Sequence, residues 1–233
     1  MFKYNYELRY GDYKDFDTVK PSAVLDIVQD IAIKHSDSCG YGLTKMRDIG
    51  YAWLIQGIKS HFEKPVKSLT DITVYTAIKE MRGATSERGC IIEQNGEVVA
   101  KTVANWFLID CNTLRPCRIP KEIIEAYDVH NFNDDYFNYT KPKLKEAECI
   151  NVIRVSNKEI DTNKHLNNQK SAEILMDALP FDFFFTDANI LYKRAAYLGD
   201  ELELCLKQIE NGYYAHLQTK EKEICVAGTF INA

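Results

Sequence analysis

Asp161-Thr162-Asn163-Lys164-His165-Leu166-Asn167-Asn168 packs a carboxylate, several hydrogen-bonding amides and one imidazole into a single short stretch. The imidazole is the one side chain among them whose ordinary pKa lets it move a proton near neutral pH. The stretch has an echo: Asp17-Thr18-Val19-Lys20 repeats Asp161-Thr162-Asn163-Lys164 at three of four positions. Where the later copy carries Asn163 and His165, the earlier carries Val19 and Pro21. Two halves of one duplicated scaffold, with chemistry kept only in the second, account for that pattern.

Periodicity outward from the two copies supports duplication. After the first copy, Ser22 to His35 places Leu25, Val28, Ile31 and Ala32 on one helical face, and Pro21 sits where a first helical turn tolerates proline. Tyr51 to Phe62, Ile72 to Lys79, Gly89 to Gln94 and Val98 to Ile109 then read as strands, and Asn95-Gly96 is a hairpin signal because both residues accept positive φ. After the second copy, Asn168 to Leu179 reads as a helix closed by Pro180, with Ala172, Leu175 and Met176 on one face. Ile190 to Ala196, Glu201 to Ile209, Tyr213 to Thr219 and Ile224 to Ile231 read as strands. Thr70-Asp71 and Gly199-Asp200 precede corresponding strands, and the closing strands Thr102-Val103-Ala104-Asn105-Trp106 and Val226-Ala227-Gly228-Thr229-Phe230 both run small residues into an aromatic. It is the shared order that argues for an internal repeat.

Tyr127 to Lys145 is crowded with Asn, Asp, Tyr and Lys and lacks apolar periodicity. The expected organisation is residues 1–126 as the first repeat, 127–148 as a linker and 149–233 as the second repeat, a unit small enough to need shared surface with the first.

The 233 residues, 45% hydrophobic and 12% aromatic, suffice for a packed core, and a net charge of −5 argues against a nucleic-acid-coating role. Cationic clusters at Arg115 to Lys121 and at Lys141, Lys143 and Lys145 read as solvated surface or as docking points for an acidic partner. No apolar run is long enough to span a membrane, and Met1 to Tyr6 lacks the apolar core of a secretion signal, so a cytoplasmic location is expected. Cysteines 39, 90, 111, 117, 149, 205 and 225 form no CxxC pair and no His-Cys ligand spacing. They are expected to be buried reduced thiols, with no metal site and no cysteine nucleophile.

With these elements in order, the chain resembles the acyl-acyl carrier protein thioesterases of plants and bacteria over almost its full length. The resemblance rests on Asp161-x-Asn163-x-His165-x-Asn167-Asn168, the helix carrying Glu173 and ending at Leu179-Pro180, Trp53, Asn105-Trp106, and Arg115 to Pro120 ahead of a short helix. It implies an α+β double hotdog: two tandem repeats, each an antiparallel sheet wrapped around a central helix. It also implies hydrolysis of the thioester between a fatty acyl chain and acyl carrier protein, without metal or organic cofactor. The C-terminal repeat would hold the catalytic Asp161, Asn163 and His165, with Glu173 and Asn168 as auxiliary groups. The N-terminal repeat would shape the acyl pocket, with Trp53 and Trp106 as wall residues. The partner it implies is acyl carrier protein bearing a fatty acyl chain; no nucleic acid and no membrane span are expected, and a homodimer is left open. The family usually carries an acidic residue and a cysteine in a Tyr-Arg-Arg-Glu-Cys-like segment after the helix, whereas this chain reads Tyr192-Lys193-Arg194-Ala195-Ala196. Either the remaining groups suffice, or another carboxylate such as Glu173 substitutes, or the activity is altered.

In chemical terms, His165 can take a proton from water, Asp161 can orient the imidazole, and Asn163 can position the water or the thioester oxygen. Backbone N–H groups at the start of the following helix can polarise the carbonyl. Asp161, Asn163 and Asn168 are also the residue types that favour turns and helix starts. His35, His61, His130 and His216 lie in no motif and read as surface or structural residues. Two alternatives stand beside the carrier-protein reading: an acyl-coenzyme A thioesterase, and a non-catalytic acyl-binding hotdog protein, the latter motivated by Ala195 and Ala196.

Overall fold

The computed structural model describes residues 1–132 and 134–232, with Asp135 by its backbone alone. The chain divides into two units, Met1–Tyr139 and Thr140–Ala233. In the first, β1 (Phe2–Tyr6) is followed by α1 (Pro21–Ser38), α2 (Leu43–Asp48), β2 (Tyr51–Phe62), β3 (Ile72–Arg82), β4 (Thr85–Gln94), β5 (Glu97–Asp110), the short β6 (Arg115–Pro116) and α3 (Lys121–Glu125). Its antiparallel sheet runs β1-β3-β4-β5-β2, with β6 paired to β5. The second unit contains β7 (Glu148–Arg154), α4 (Asn168–Asp177), β8 (Asp187–Tyr192), β9 (Glu201–Ile209), β10 (Gly212–Gln218) and β11 (Ile224–Ile231), ordered β7-β9-β10-β11-β8. Strand for strand, the second order reproduces the first, which is the signature of an internal repeat.

The two helices are held in different ways. Helix α1 buries Val24, Leu25, Ile27, Val28 and Ile31 almost completely, and packs on β3. At about 1.5–3 kcal/mol for each fully buried aliphatic side chain, this stripe outweighs the missing N-terminal cap at Lys20, a feature worth about 1 kcal/mol. Helix α4 has a thinner stripe, Ala172 and Leu175, and packs against β10 and β11. Its start is capped: the Asn167 side chain accepts the backbone N–H groups of Gln169 and Lys170. A side chain at Gly228 of β11 would meet the Phe230 ring at 2.7 Å and Leu175 at 3.4 Å, so glycine lets the strand lie close beneath the helix.

The hairpin at Asn95-Gly96 forms as expected, with φ of 54° and 79°. Three expectations need correction. The strand expected over Ile190–Ala196 ends at Tyr192, because the Lys193 and Arg194 amides both donate to the Cys225 carbonyl and turn the chain out of the ladder. The edge strands β1 and β7 were not anticipated; β7 is exposed along nearly its whole length, so it carries no alternating pattern. Nor are the seven cysteines uniformly buried reduced thiols. Cys111 is exposed, and Cys149 and Cys205, facing each other across β7 and β9, are joined as a disulfide.

The segment read as a linker splits in two. Tyr127, Phe132 and Phe137 are buried in the first unit, with the Phe132 ring lying over Gly89 of β4, where a side chain would collide with it. Lys141, Lys143 and Lys145 are exposed at the start of the second.

Candidate active site

The Asp161–Leu166 turn is folded by its own first residue. The Asp161 carboxylate Oδ1 accepts the backbone N–H of Asn163 at 2.8 Å and of His165 at 3.2 Å, while the Asp161 N–H donates to the His165 carbonyl at 2.9 Å. Lys164 supplies the positive φ that closes the turn, 63°. The turn is anchored at both ends: Ile160 bridges Leu166, and His165 bridges Tyr197. The Leu166 N–H donates to the Ala196 carbonyl at 2.8 Å, and the Asn167 N–H to the Glu159 carbonyl at 2.8 Å. The outcome is a half-buried His165 imidazole on a clamped turn, with Tyr197 edge-on to it at 5.0 Å between centroids. The Asn163 side chain is exposed.

Three placements differ from the sequence reading. The carboxylate of Asp161 is engaged with backbone, and among the described residues no hydrogen bond joins it to the His165 ring. The first-turn amides of Gln169 and Lys170 are taken by the Asn167 side chain, so they are not free to polarise a substrate carbonyl. Glu173 forms an ion pair at 2.7 Å with Lys170, one turn back on α4, and Asn168 contributes its backbone carbonyl to the Ser171 hydroxyl. In the first unit, Trp53 packs beside the cluster of Met46, Ile78, Leu108, Ile119 and Ile123. Trp106 lies on β5 with its indole N–H buried and unpartnered among the described residues.

Tyr197 is the neighbour that sequence reading passed over, and Ala196, read there only as a departure from the family pattern, is the second. They hold the His165 turn through backbone contacts that leave no mark on side-chain chemistry. Ala195 and Ala196, where the family usually has its acidic residue and cysteine, therefore lie directly beside the turn.

The first unit carries the same device without the imidazole. Tyr13 bridges Val19 and Thr18 bridges Lys67; the Val19 N–H donates to the Val66 carbonyl, and the Lys20 N–H to the Asp12 carbonyl. These contacts make Thr18 the counterpart of His165 and Val19 the counterpart of Leu166. The register is thus shifted from the letter-by-letter match of Asp17–Lys20 with Asp161–Lys164. Asp15, whose carboxylate accepts the Asp17 and Thr18 amides, does there what Asp161 does in the second unit.

Asp161 offers a direct test of backbone against charge. Asp161→Asn keeps an oxygen acceptor for both amides and should retain activity within about threefold, whereas Asp161→Ala should lower kcat/KM by about tenfold or more through loss of two hydrogen bonds worth about 1 kcal/mol each. Equal losses in steady-state assays of the two variants would instead return the charge to the mechanism.

A turn bearing an imidazole and leading into a helix that packs on an antiparallel sheet, with the same scaffold duplicated upstream, defines a duplicated helix-on-sheet fold with one candidate site in its second copy. The comparisons with known proteins agree. Residues 1–127 match the acyl-ACP thioesterase N-terminal domain and residues 142–231 match the acyl-ACP thioesterase C-terminal domain, so the chain belongs to the acyl-ACP thioesterase family. No curated protein sequence matches it. Among solved structures, the acyl-ACP thioesterase from Bacteroides thetaiotaomicron VPI-5482 is similar at a TM-score of 0.89 and 16% identity, over 99% of this chain and 96% of the other. The 12:0-ACP thioesterase from Umbellularia californica is similar at 0.86 and 17% identity, again over 99% and 96%. A protein from Aquifex aeolicus matches at 0.52 and 20% identity, with all of its length covered by 55% of this chain, as a single copy of a doubled unit would be. The fold is an α+β double hotdog, and the protein is a thioester hydrolase of fatty acyl-acyl carrier protein. No helix among the described residues is long and apolar enough to cross a membrane.

Proposed function

We propose that hydrolysis is carried out in the second unit by His165 as general base, with Asn163 as the polar group that orients water or the thioester oxygen and Asp161 as the residue that sets the turn. In this reading the imidazole takes a proton from water, and the hydroxide adds to the thioester carbonyl carbon. The tetrahedral intermediate then expels the carrier's thiolate, to which His165 returns the proton, leaving free fatty acid and free thiol. The observation that carries the assignment is the half-buried His165 held on a turn with both ends bonded to neighbouring backbone, within the matched C-terminal family domain. A rigid support of this kind is what a general base requires to meet water and carbonyl at hydrogen-bond distance.

The first unit, in the same proposal, receives the acyl chain, with Trp53 and Trp106 at its walls. Support comes from the counterpart loop: Thr18 and Val19 stand where His165 and Leu166 stand, which leaves that unit without a base and free to specialise in binding. The exposed Arg115, Arg118, Lys121, Lys141, Lys143 and Lys145 are the proposed cationic contacts for an acidic carrier.

The test is intact-mass analysis of a panel of acylated carrier proteins of graded chain length, beside the matching acyl-coenzyme A thioesters. Loss of the acyl mass from carrier protein at rates well above those on coenzyme A is the expected result. Preferential turnover of the coenzyme A series would reassign the carrier.

A further inference from the structure

Away from the thioester turn, one stretch of the second sheet brings together two thiols, a carboxylate and an amide. Cys205 of β9 faces Cys149 of β7 on one side and His216 of β10 on the other, and Glu203 of β9 faces Gln218 of β10. The sulfurs of Cys149 and Cys205 and a carboxylate oxygen of Glu203 all lie within 4.8 Å of one another. We propose that, with the two cysteines reduced, Cys149, Cys205 and Glu203 form a binding site for a thiophilic divalent cation of the zinc class.

The surroundings suit a cation in charge and in orientation. Gln218 Nε2 donates to Glu203 Oε2 at 2.9 Å and reaches Cys149 Sγ at 3.5 Å, while Lys222 Nζ donates to the same Oε2 at 2.7 Å. Among the described residues these donors all meet Oε2, the oxygen that also faces Cys149 Sγ at 3.6 Å, so they hold the carboxylate toward the two sulfurs. Gln218 is itself fixed from behind: its Oε1 pairs with Nε2 of the buried His216 at 3.1 Å, which turns the amide NH2 toward Glu203 and Cys149. Outer groups that aim ligands in this way are a general feature of metal sites. Two thiolates and one carboxylate against Lys222 leave a net −2, which a divalent cation neutralises. Binding releases the two thiol protons to solvent and forms two metal–sulfur bonds and one metal–oxygen bond, with no electron transferred. Water takes the fourth position on the exposed side of Cys149. Disulfide and metal are alternative states of the same two sulfurs, and either one ties edge strand β7 to β9.

Full-length protein purified in a phosphine reductant, stripped with chelator and titrated with Co2+, should take up one equivalent. It should develop thiolate-to-cobalt charge-transfer absorption that Zn2+ then removes. Cys205→Ser and Cys149→Ser should each abolish that absorption; Cys149 is exposed, so its variant keeps the test usable if Cys205→Ser misfolds by circular dichroism. Gln218→Leu should weaken affinity about ten- to hundredfold, and Cys111→Ser should leave it unchanged. Reduced wild-type protein that binds no cobalt, or cobalt absorption that survives both cysteine variants, overturns the site. Because the readout is metal uptake, neither outcome depends on thioesterase turnover.

Discussion

Replacing His165 with alanine should lower kcat/KM on acylated carrier protein by about 10²- to 10⁴-fold, the range associated with losing a positioned general base. The expected loss is large because nothing nearby can take over. The described groups around the turn are the Tyr197 ring, the Ala196 carbonyl and an Asp161 carboxylate already committed to two backbone amides. Glu173 is held by Lys170 on the same helix. The effect should fall on kcat while KM changes little, since the acyl chain is assigned to the other unit. His165→Gln, which preserves bulk and hydrogen bonding but cannot accept a proton near neutral pH, should be as impaired as His165→Ala. A release of free thiol unchanged in either variant, followed with a chromogenic disulfide, would remove His165 from the mechanism. The family's usual acidic residue is absent from the segment beside this turn, so Ala195→Glu is the informative companion. If the native chain lacks a full complement of catalytic groups, that variant should gain activity.

What could be read from sequence followed what was buried. The α1 stripe and the strands β2, β5, β9 and β11 were legible because each packs apolar side chains into the core, which leaves a periodic or near-continuous apolar run in the sequence. The edge strands β1 and β7 were not, because exposed residues are free of that constraint. The Cys149–Cys205 pairing followed from the same gap: with β7 unread, no sequence spacing joins two cysteines 56 residues apart. The repeat itself was visible, but its register was not. Identical letters at Asp17–Lys20 and Asp161–Lys164 suggested one alignment, whereas the hydrogen bonds that define the loop equate Thr18 with His165. A turn is specified by where its carboxylate meets backbone amides, and Asp15 can do this from a different position than Asp161 does. Asp161 illustrates the same limit at the candidate site, where carboxylate and imidazole within one motif suggested a pair, and the backbone claimed the carboxylate first.

The other large effect concerns a buried cation that sequence reading left unremarked. Arg88 of β4 is 5% exposed, and among the described residues no carboxylate pairs with it. Its guanidinium meets Nδ1 of His35, near the end of α1, at 2.7 Å and Thr76 Oγ1 at 3.4 Å, with the Tyr127 ring 6.0 Å away. Since an arginine has no acceptor atom, Nδ1 must be the bare nitrogen of a neutral imidazole. Burial first, then the charges of Arg88 and the N-terminus, push the His35 pKa down from 6.5 to about 4, against a weaker opposing pull from Asp128. The sign of the pH dependence follows. Between pH 6.5 and 4 the unfolded chain protonates this histidine and the folded chain does not, so stability present at neutral pH drains away as pH falls, by about 3 kcal/mol once pH is below 4. Urea unfolding across that range should show the loss, with a contribution of the same sign from His216, whose pKa burial also lowers. The difference between wild type and His35→Leu isolates the His35 share, and a variant curve parallel to the wild type would refute it. Arg88→Met should remove the cationic part of the shift and leave the larger part due to burial, giving a shallower slope. At neutral pH the same variant trades the relief of a buried charge without a counter-ion for a buried His35 Nδ1 left without its donor, two opposing contributions of similar size.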